Sequence, residues 1–434
     1  LRKEKPGQSC RPGQAETDHR ERDLDFVMNF IIERFKNQRL SARIIDFNKN
    51  PGNVPELRSR QSHCMRTLAN RSLGVDMWKS EGDARAHFRG VQTCGSPWAC
   101  PVCAVLISEF RKKEISELIK KALAAGYHLY MITYTLPHYI QESCQLVNDR
   151  FMSAMNKMKS QKILKNTPYF TPFSTLLKQY GCDGYVTTKE PLFGQNGWHI
   201  HTHGLYIFEK PLVNLSSVRE SLWECWLKAC DLTFQIGDYP DHVIRGFYKR
   251  SVRLDHLTGD AEKIISEYMT KSGVVRKEKT LSDWRMEHEL TKGHLKKSES
   301  GSLTPFGMLD KIRELSPHDK LSKYLKQKYF EYTETFKGSS FVRWSPGLRK
   351  KFGFQEISDQ EITDSTVKDV ESFYTYFEKP EWYNTILPLG LRGYIQQNSD
   401  LPWNDLAEKL NQEIRLRKEK LNNKINHEIQ GCAI

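Results

Sequence analysis

Three histidines at alternate positions, His199, His201 and His203, sit inside the run Trp198-His199-Ile200-His201-Thr202-His203-Gly204-Leu205-Tyr206-Ile207-Phe208. Period-two spacing with β-branched and aromatic residues predicts a β-strand. Alternate side chains of a strand share one face, so the three imidazoles point the same way. Core packing has no use for three histidines there, whereas a divalent cation does. Same-face neighbours lie about 7 Å apart and residues four apart about 13 Å. One adjacent pair can chelate an ion through bonds of roughly 2.1 Å, and all three together hardly can. A third ligand has to come from a neighbouring strand, and Glu190 is the best candidate. It ends a strand-like stretch at residues 184–190, and residues 191–197 read as the loop of a hairpin.

A second cluster is Cys94-Gly-Ser-Pro-Trp-Ala-Cys100-Pro-Val-Cys103. Cys-Pro-x-Cys is a tight turn that offers two thiolates to one zinc, with Cys94 as a third ligand. A closed structural site needs a fourth, and Cys64 is the source the sequence offers. A redox role for Cys100 and Cys103 leaves Cys94 without a function. Cys10, Cys144, Cys182, Cys225, Cys230 and Cys432 read as ordinary thiols.

The chain has 434 residues, room for more than one domain. Its net charge of +13 favours a polyanionic partner, most often nucleic acid. No apolar run is long enough to span a bilayer, and the N-terminus lacks the apolar core of a signal peptide, so a cytoplasmic protein is expected.

Hydrophobic periodicity organises the rest. Residues 1–60 are basic, with a disordered start and one amphipathic helix at 25–35. Residues 61–125 hold the cysteines and a helix over 106–125. Strand 127–136, helix 148–158, the hairpin, helix 215–230 with Ser217 and Glu220 spaced as a capping box, strand 246–254 and helix 260–271 follow. That order predicts an α+β fold, an antiparallel sheet backed by helices. Residues 276–335 read as a basic, partly helical linker. Residues 336–434 form a mainly helical C-terminal region for DNA binding or oligomerisation. It opens on a basic-aromatic patch at 341–354, where Arg343, Trp344, Arg349 and Lys350 suit phosphate contact and base stacking. It ends in a helix at 405–429 with Leu406, Leu410, Ile414, Leu421 and Ile425 on one stripe.

On the helix expected at 260–271, Tyr268 and Lys271 are three residues apart and share a face. A phenol with an ordinary pKa near 10 needs help to become a nucleophile. A nearby ammonium and a metal-bound phosphate supply it.

Taken together, these pieces resemble the HUH endonucleases, specifically the plasmid rolling-circle replication initiators (Rep proteins). Met131-Ile-Thr-Tyr-Thr-Leu136 is similar to the family's first motif. Glu190 and Gly197–His203 are similar to E-V-T-x4-G-W-H-x-H-x-H, with Pro191 and Leu192 in place of Val-Thr and Ile200 where many members have proline. Tyr268 and Lys271 match Y-x-x-K, and the cysteines match C-x5-C-P-x-C. The resemblance covers roughly residues 60–275, with a nicking domain over 126–275.

It implies a metal-dependent single-strand DNA endonuclease and strand transferase. Catalytic Mn2+ or Mg2+ is held by His201, His203 and Glu190, with His199 orienting the site or binding phosphate. Geometry alone leaves a His199–His201 pair open. Zn2+ is structural, and Tyr268 forms a 5′-phosphotyrosine. The implied partners are single- and double-stranded origin DNA and a host helicase and polymerase, since no Walker-type run is present. Relatives that terminate with a second acid or tyrosine carry it where this chain has Ile264. A transposase or mobilisation relaxase of the same chemistry, and a non-catalytic zinc-dependent DNA-binding regulator, are the alternatives.

Overall fold

The computed structural model describes residues 12–52, 54–69, 72–80, 85–160, 171–236, 239–261, 263, 302–364 and 371–431. In chain order the main elements are α1 (Pro12–Lys49), β1 (Gly74–Ser80), β2 (His87–Arg89), α2 (Pro101–Ala124), β3 (His128–Thr135), α3 (Cys144–Lys159), α4 (Phe173–Gln179), β4 (Cys182–Gly194), β5 (Gly197–Phe208), α5 (Leu215–Phe234), α6 (Asp241–Arg250), β6 (Val252–Leu257), α7 (Pro305–Glu314), α8 (Lys320–Thr335), β7 (Val342–Trp344), β8 (Glu371–Glu378) and α9 (Trp403–Gly431). The fold is α+β, as expected. Two compact units are formed, one from residues 1–39, 62–93 and 366–434 and the other from 40–61 and 94–365.

The larger unit is built on an antiparallel sheet ordered β6-β3-β5-β4-β7. One face carries Tyr130, Ile132 and Tyr134 of β3 and Ile200, Tyr206 and Phe208 of β5. It packs on α3, α5, α7 and α8 through Phe151, Trp226, Leu309 and Tyr329. The other face is divided. Leu205 and Ile207 of β5, with Val186 and Met131, are covered by Ile115, Leu118 and Ile119 of α2. Two residues before Leu205 the same face turns from aliphatic to imidazole. An apolar helix stripe has nothing to bury beyond that point, so the histidine end of β5 opens into a cleft.

The hairpin departs from the expected one. Residues 191–194 continue β4, and the turn is only Gln195-Asn196, with Gly194 paired to Gly197. Pro191 is tolerated because Phe193 N points away from β5 and donates to Leu303 O at 2.9 Å. Two residues back, the Pro191 nitrogen faces that same side, beyond the short pairing of β7 with residues 186–188, so no ladder bond is missing.

Residues 246–254 are not one strand: α6 ends at Arg250 and β6 starts at Val252. Asp241 in its first turn and Lys249 and Arg250 in its last suit the helix dipole, and only Phe247 is buried. Helix α5 is capped by Asn214, whose side chain accepts from Ser217 N, and not by Ser217. Helix α2 begins at Pro101, and α1 extends well beyond residues 25–35 at both ends. Of the helix expected at 260–271, Asp260 Oδ1 caps Lys263 N at 2.8 Å, and residues 264–271 lie outside the described residues.

The smaller unit holds an antiparallel sheet ordered β2-β1-β8. Trp382 is fully buried there, donating to Arg66 O at 2.8 Å. Arg392 donates to Met65 O at 2.8 Å and Gln38 Oε1 at 3.1 Å. Of the stripe on α9, Leu406 and Leu410 are buried while Leu421 and Ile425 are exposed.

Gly197 sits at φ 87°, and a Cβ there would meet Tyr139 O and Ile140 Cα at 2.8 Å. Gly197→Ala is expected to destabilise the protein by about 1–3 kcal/mol through backbone strain, read from the urea unfolding midpoint.

Candidate metal centre and its cleft

Register assembles the donor group. In β4–β5 Glu190 pairs with His201 and Thr188 with His203; in β3–β5 Thr133 pairs with His203 and Thr135 with His201. Glu190 Oε2 lies 2.6 Å from His201 Nε2 and 3.2 Å from His203 Nε2. One ligand atom from each residue falls within 4.8 Å of the others. Burial alone would raise the Glu190 carboxyl, but the hydrogen bonds and charge of His201 and His203 outweigh it and hold the group well below the usual carboxylate range. His203 Nδ1 lies 3.0 Å from Thr133 Oγ1, which orients that ring. His201 Nδ1 is buried without a hydrogen-bonding partner, so Glu190 makes the one hydrogen bond that orients its imidazole. Two imidazoles and a carboxylate converging beside open space are a donor set that fits Mn2+ or Mg2+.

His199 shares the face but makes other contacts. Asn196 O can only accept, so His138 Nδ1, 3.0 Å away, donates to it. In a neutral His138 the Nε2 then accepts from His199 Nδ1 at 2.9 Å, which leaves His199 Nε2 with a lone pair near Thr135 Oγ1 at 3.5 Å. Burial, then His201 and His138, push the His199 imidazole down to about 3. The cleft, about 920 Å³, is bordered by the loop at His138–Gln141 and by His242, Arg250 and Arg253.

Cys100 is the N-cap of α2, with Pro101 at its first position and Cys103 in its first turn. Cys94 Sγ lies 3.7 Å from Cys103 Sγ. Cys94, Cys100 and Cys103 are all buried, and three thiols gathered about the start of α2 are donors that fit zinc; Cys64, the expected fourth, belongs to the other unit. The other described cysteines are ordinary: burial pushes Cys182 and Cys225 up to about 12 and raises Cys144 and Cys230 as well. Cys10 and Cys432 lie outside the described residues.

The basic-aromatic patch is partly structural. Trp344 lies between the Arg349 guanidinium, 4.3 Å from its ring, and Phe354, at 5.2 Å. Arg349 Nη1 is 2.5 Å from Glu114 Oε1. Arg343 and Lys350 are exposed. All four line a groove of about 1480 Å³ that also reaches Cys94.

Tyr268 and Lys271 lie outside the described residues. The other tyrosine near the expected position, Tyr248, donates to Glu220 Oε2 at 2.9 Å and packs on Trp223 instead of lining the cleft. Sequence reasoning missed His138 and the hydrogen-bonding task of Thr133. The alternating threonines of β3 were a signal for the second, and nothing marked the first.

An antiparallel sheet with a carboxylate–imidazole donor group beside an open cleft, in a unit that also clusters three buried thiols, defines an α+β protein with two groups of potential metal ligands. No helix among the described residues is long and apolar enough to cross a membrane. The chain is similar to the protein named "Protein rep" of Streptomyces lividans, 22% identical over 321 residues, covering 63% of this chain and 66% of the relative. It thus spans just under two thirds of that relative's length. No protein-family model and no solved structure matches the chain.

Glu190→Ala and His203→Ala are expected to abolish Mn2+ binding in calorimetry, and Thr133→Val to weaken it about 10–100-fold by freeing the His203 ring. A second outcome concerns pH. His199 is held at about 3 against an ordinary 6.5, so in metal-free protein its contribution to stability is present above 6.5 and lost as pH falls toward 3. Urea midpoints between neutral and acid pH should therefore drop less steeply in His199→Gln than in wild type.

Proposed function

We propose that the chain is a replication initiator of the HUH-endonuclease type that nicks one strand of origin DNA. The observation that carries this reading is Glu190 brought across the hairpin to His201 and His203 at the floor of an open cleft. The similarity to a protein named rep supports it. So does the Tyr268–Lys271 spacing just downstream of β6.

Glu190, His201 and His203 would hold Mn2+ or Mg2+, which when bound supplies Lewis-acid charge to a phosphate oxygen. Thr133 keeps the His203 ring in place for this. Arg250 and Arg253 border the cleft and suit the flanking phosphates of an unpaired strand. Tyr268 is the nucleophile. Its oxygen bonds to phosphorus, the bond to the 3′ oxygen breaks, and that oxygen leaves as a 3′-OH once protonated. The phenol's own proton passes to water before attack, favoured by the Lys271 ammonium three residues on in sequence. The phosphotyrosine conserves the bond energy, so the strand can later be rejoined without ATP, and the free 3′-OH primes a host polymerase. Unwinding falls to a host helicase. The thiol group holds structural Zn2+, and Arg343 and Lys350 meet duplex or single-stranded origin DNA in their groove.

The test is to mix purified protein, Mn2+ and a single-stranded library of candidate origin DNA, then resolve covalent adducts on a denaturing gel with peptide mass mapping. An adduct on Tyr268 is expected, absent from Tyr268→Phe and slowed about a hundredfold or more in His203→Ala. An adduct confined to transposon ends or a transfer origin would move the role to transposition or mobilisation. Tight DNA binding without an adduct on any DNA would leave a non-catalytic regulator.

A further inference from the structure

The face of β4 opposite Glu190 carries an unbalanced group of cations. Lys189 neighbours Glu190 in sequence, so its side chain leaves the other side of the sheet. Its Nζ lies 5.3 Å from the centre of the Phe336 ring, and its one hydrogen bond is to Asn148 Oδ1 at 3.3 Å. Two pairs along the same face, Lys159 Nζ sits 5.1 Å from the centre of the Tyr185 ring. Between them Arg343 of β7 pairs with Thr187, on the same face. Among the described residues none of the three cations makes an ion pair. Burial, and then Arg343, disfavour the charged form of both lysines; Asp149 opposes this at Lys189 more weakly than Arg343 acts. Half-buried ammonium groups are ordinarily paired with a carboxylate, and a ring face is a weaker substitute.

We infer that Lys159, Lys189 and Arg343 form a second phosphate site, on the opposite side of the sheet from the metal centre, that takes the backbone of single-stranded DNA. A backbone suits it better than a free oxyanion because Arg343, unlike the two lysines, also lines the groove that holds Lys337 and Lys350. Further cations beyond the site match the repeating phosphates of a strand. This site does not depend on the nicking chemistry.

The test uses full-length protein with no Mn2+ or Mg2+ added, so that the metal centre plays no part while structural zinc is kept, and labelled oligothymidylate as probe. Affinity is measured across a salt series. In Lys159→Gln/Lys189→Gln, and separately in Arg343→Gln, the log–log salt slope should fall by about 0.7 for each phosphate that the protein no longer neutralises. The melting temperature of the double variant without DNA should hold or rise, since unpaired cations are removed. An unchanged slope in the variants overturns the site, whatever the nicking assay gives. If inorganic pyrophosphate raises the wild-type melting temperature, and the double variant loses that rise while keeping its slope, the site takes a small oxyanion and the backbone assignment fails. Should the double variant not fold, the exposed Arg343→Gln decides alone.

Discussion

The pairing register of β4 with β5 is the constraint on which the rest depends. Side chains alternate along a strand, so a slip of one residue would send Glu190 to the face opposite the histidines and bring Lys189 to theirs. Several contacts resist that slip. Tyr185 stacks on Tyr206 with ring centroids 4.9 Å apart, and Phe193 packs on Trp198 at 5.0 Å, both on the helix-packed face. On the other face Val186 and Leu205 are fully buried under α2. Gly197 closes the turn in a left-handed conformation that other residues reach only with strain. Apolar pairs at one end of a long hairpin thus hold a polar constellation at the other, where few contacts could do so.

Much of that end was legible in the residues. Period-two histidines announced the strand and the shared face, and the same-face spacing required an outside ligand. The cluster of Cys94, Cys100 and Cys103 was legible from spacing. What escaped has physical reasons. Pro191 reads as a strand end, yet it lies where β4 has no outer partner, so its missing N–H costs no ladder bond. Residues 246–254 mix aromatic and β-branched side chains across a helix end and a strand start, and a period read through the boundary belongs to neither. Asn214 caps α5 from a left-handed conformation that composition does not reveal. His138 lies 61 positions from its partner His199, and only the closed sheet brings them to 2.9 Å.

The hydrogen bonding also indicates how the centre tolerates its own burial. A carboxylate enclosed with two imidazoles needs compensation, and Glu190 receives it from both Nε2 atoms. Those are the same atoms that would face a cation, so one set of contacts serves both the fold and the donor geometry. The second ring nitrogens are treated differently. His203 is tied to Thr133, and His201 has no such tie.

β4 carries charge of opposite sign on its two faces within two consecutive residues. Glu190 is compensated by imidazoles, and Lys189 is left facing other cations. A strand buried on both sides is costly ground for either. The carboxylate's compensation lies within the fold. The ammonium finds an aromatic ring and one amide oxygen, with Arg343 raising the cost. An intramolecular account explains Glu190 completely and Lys189 poorly. Among the described residues, that difference is the physical ground for assigning the Lys189 face to an anionic ligand.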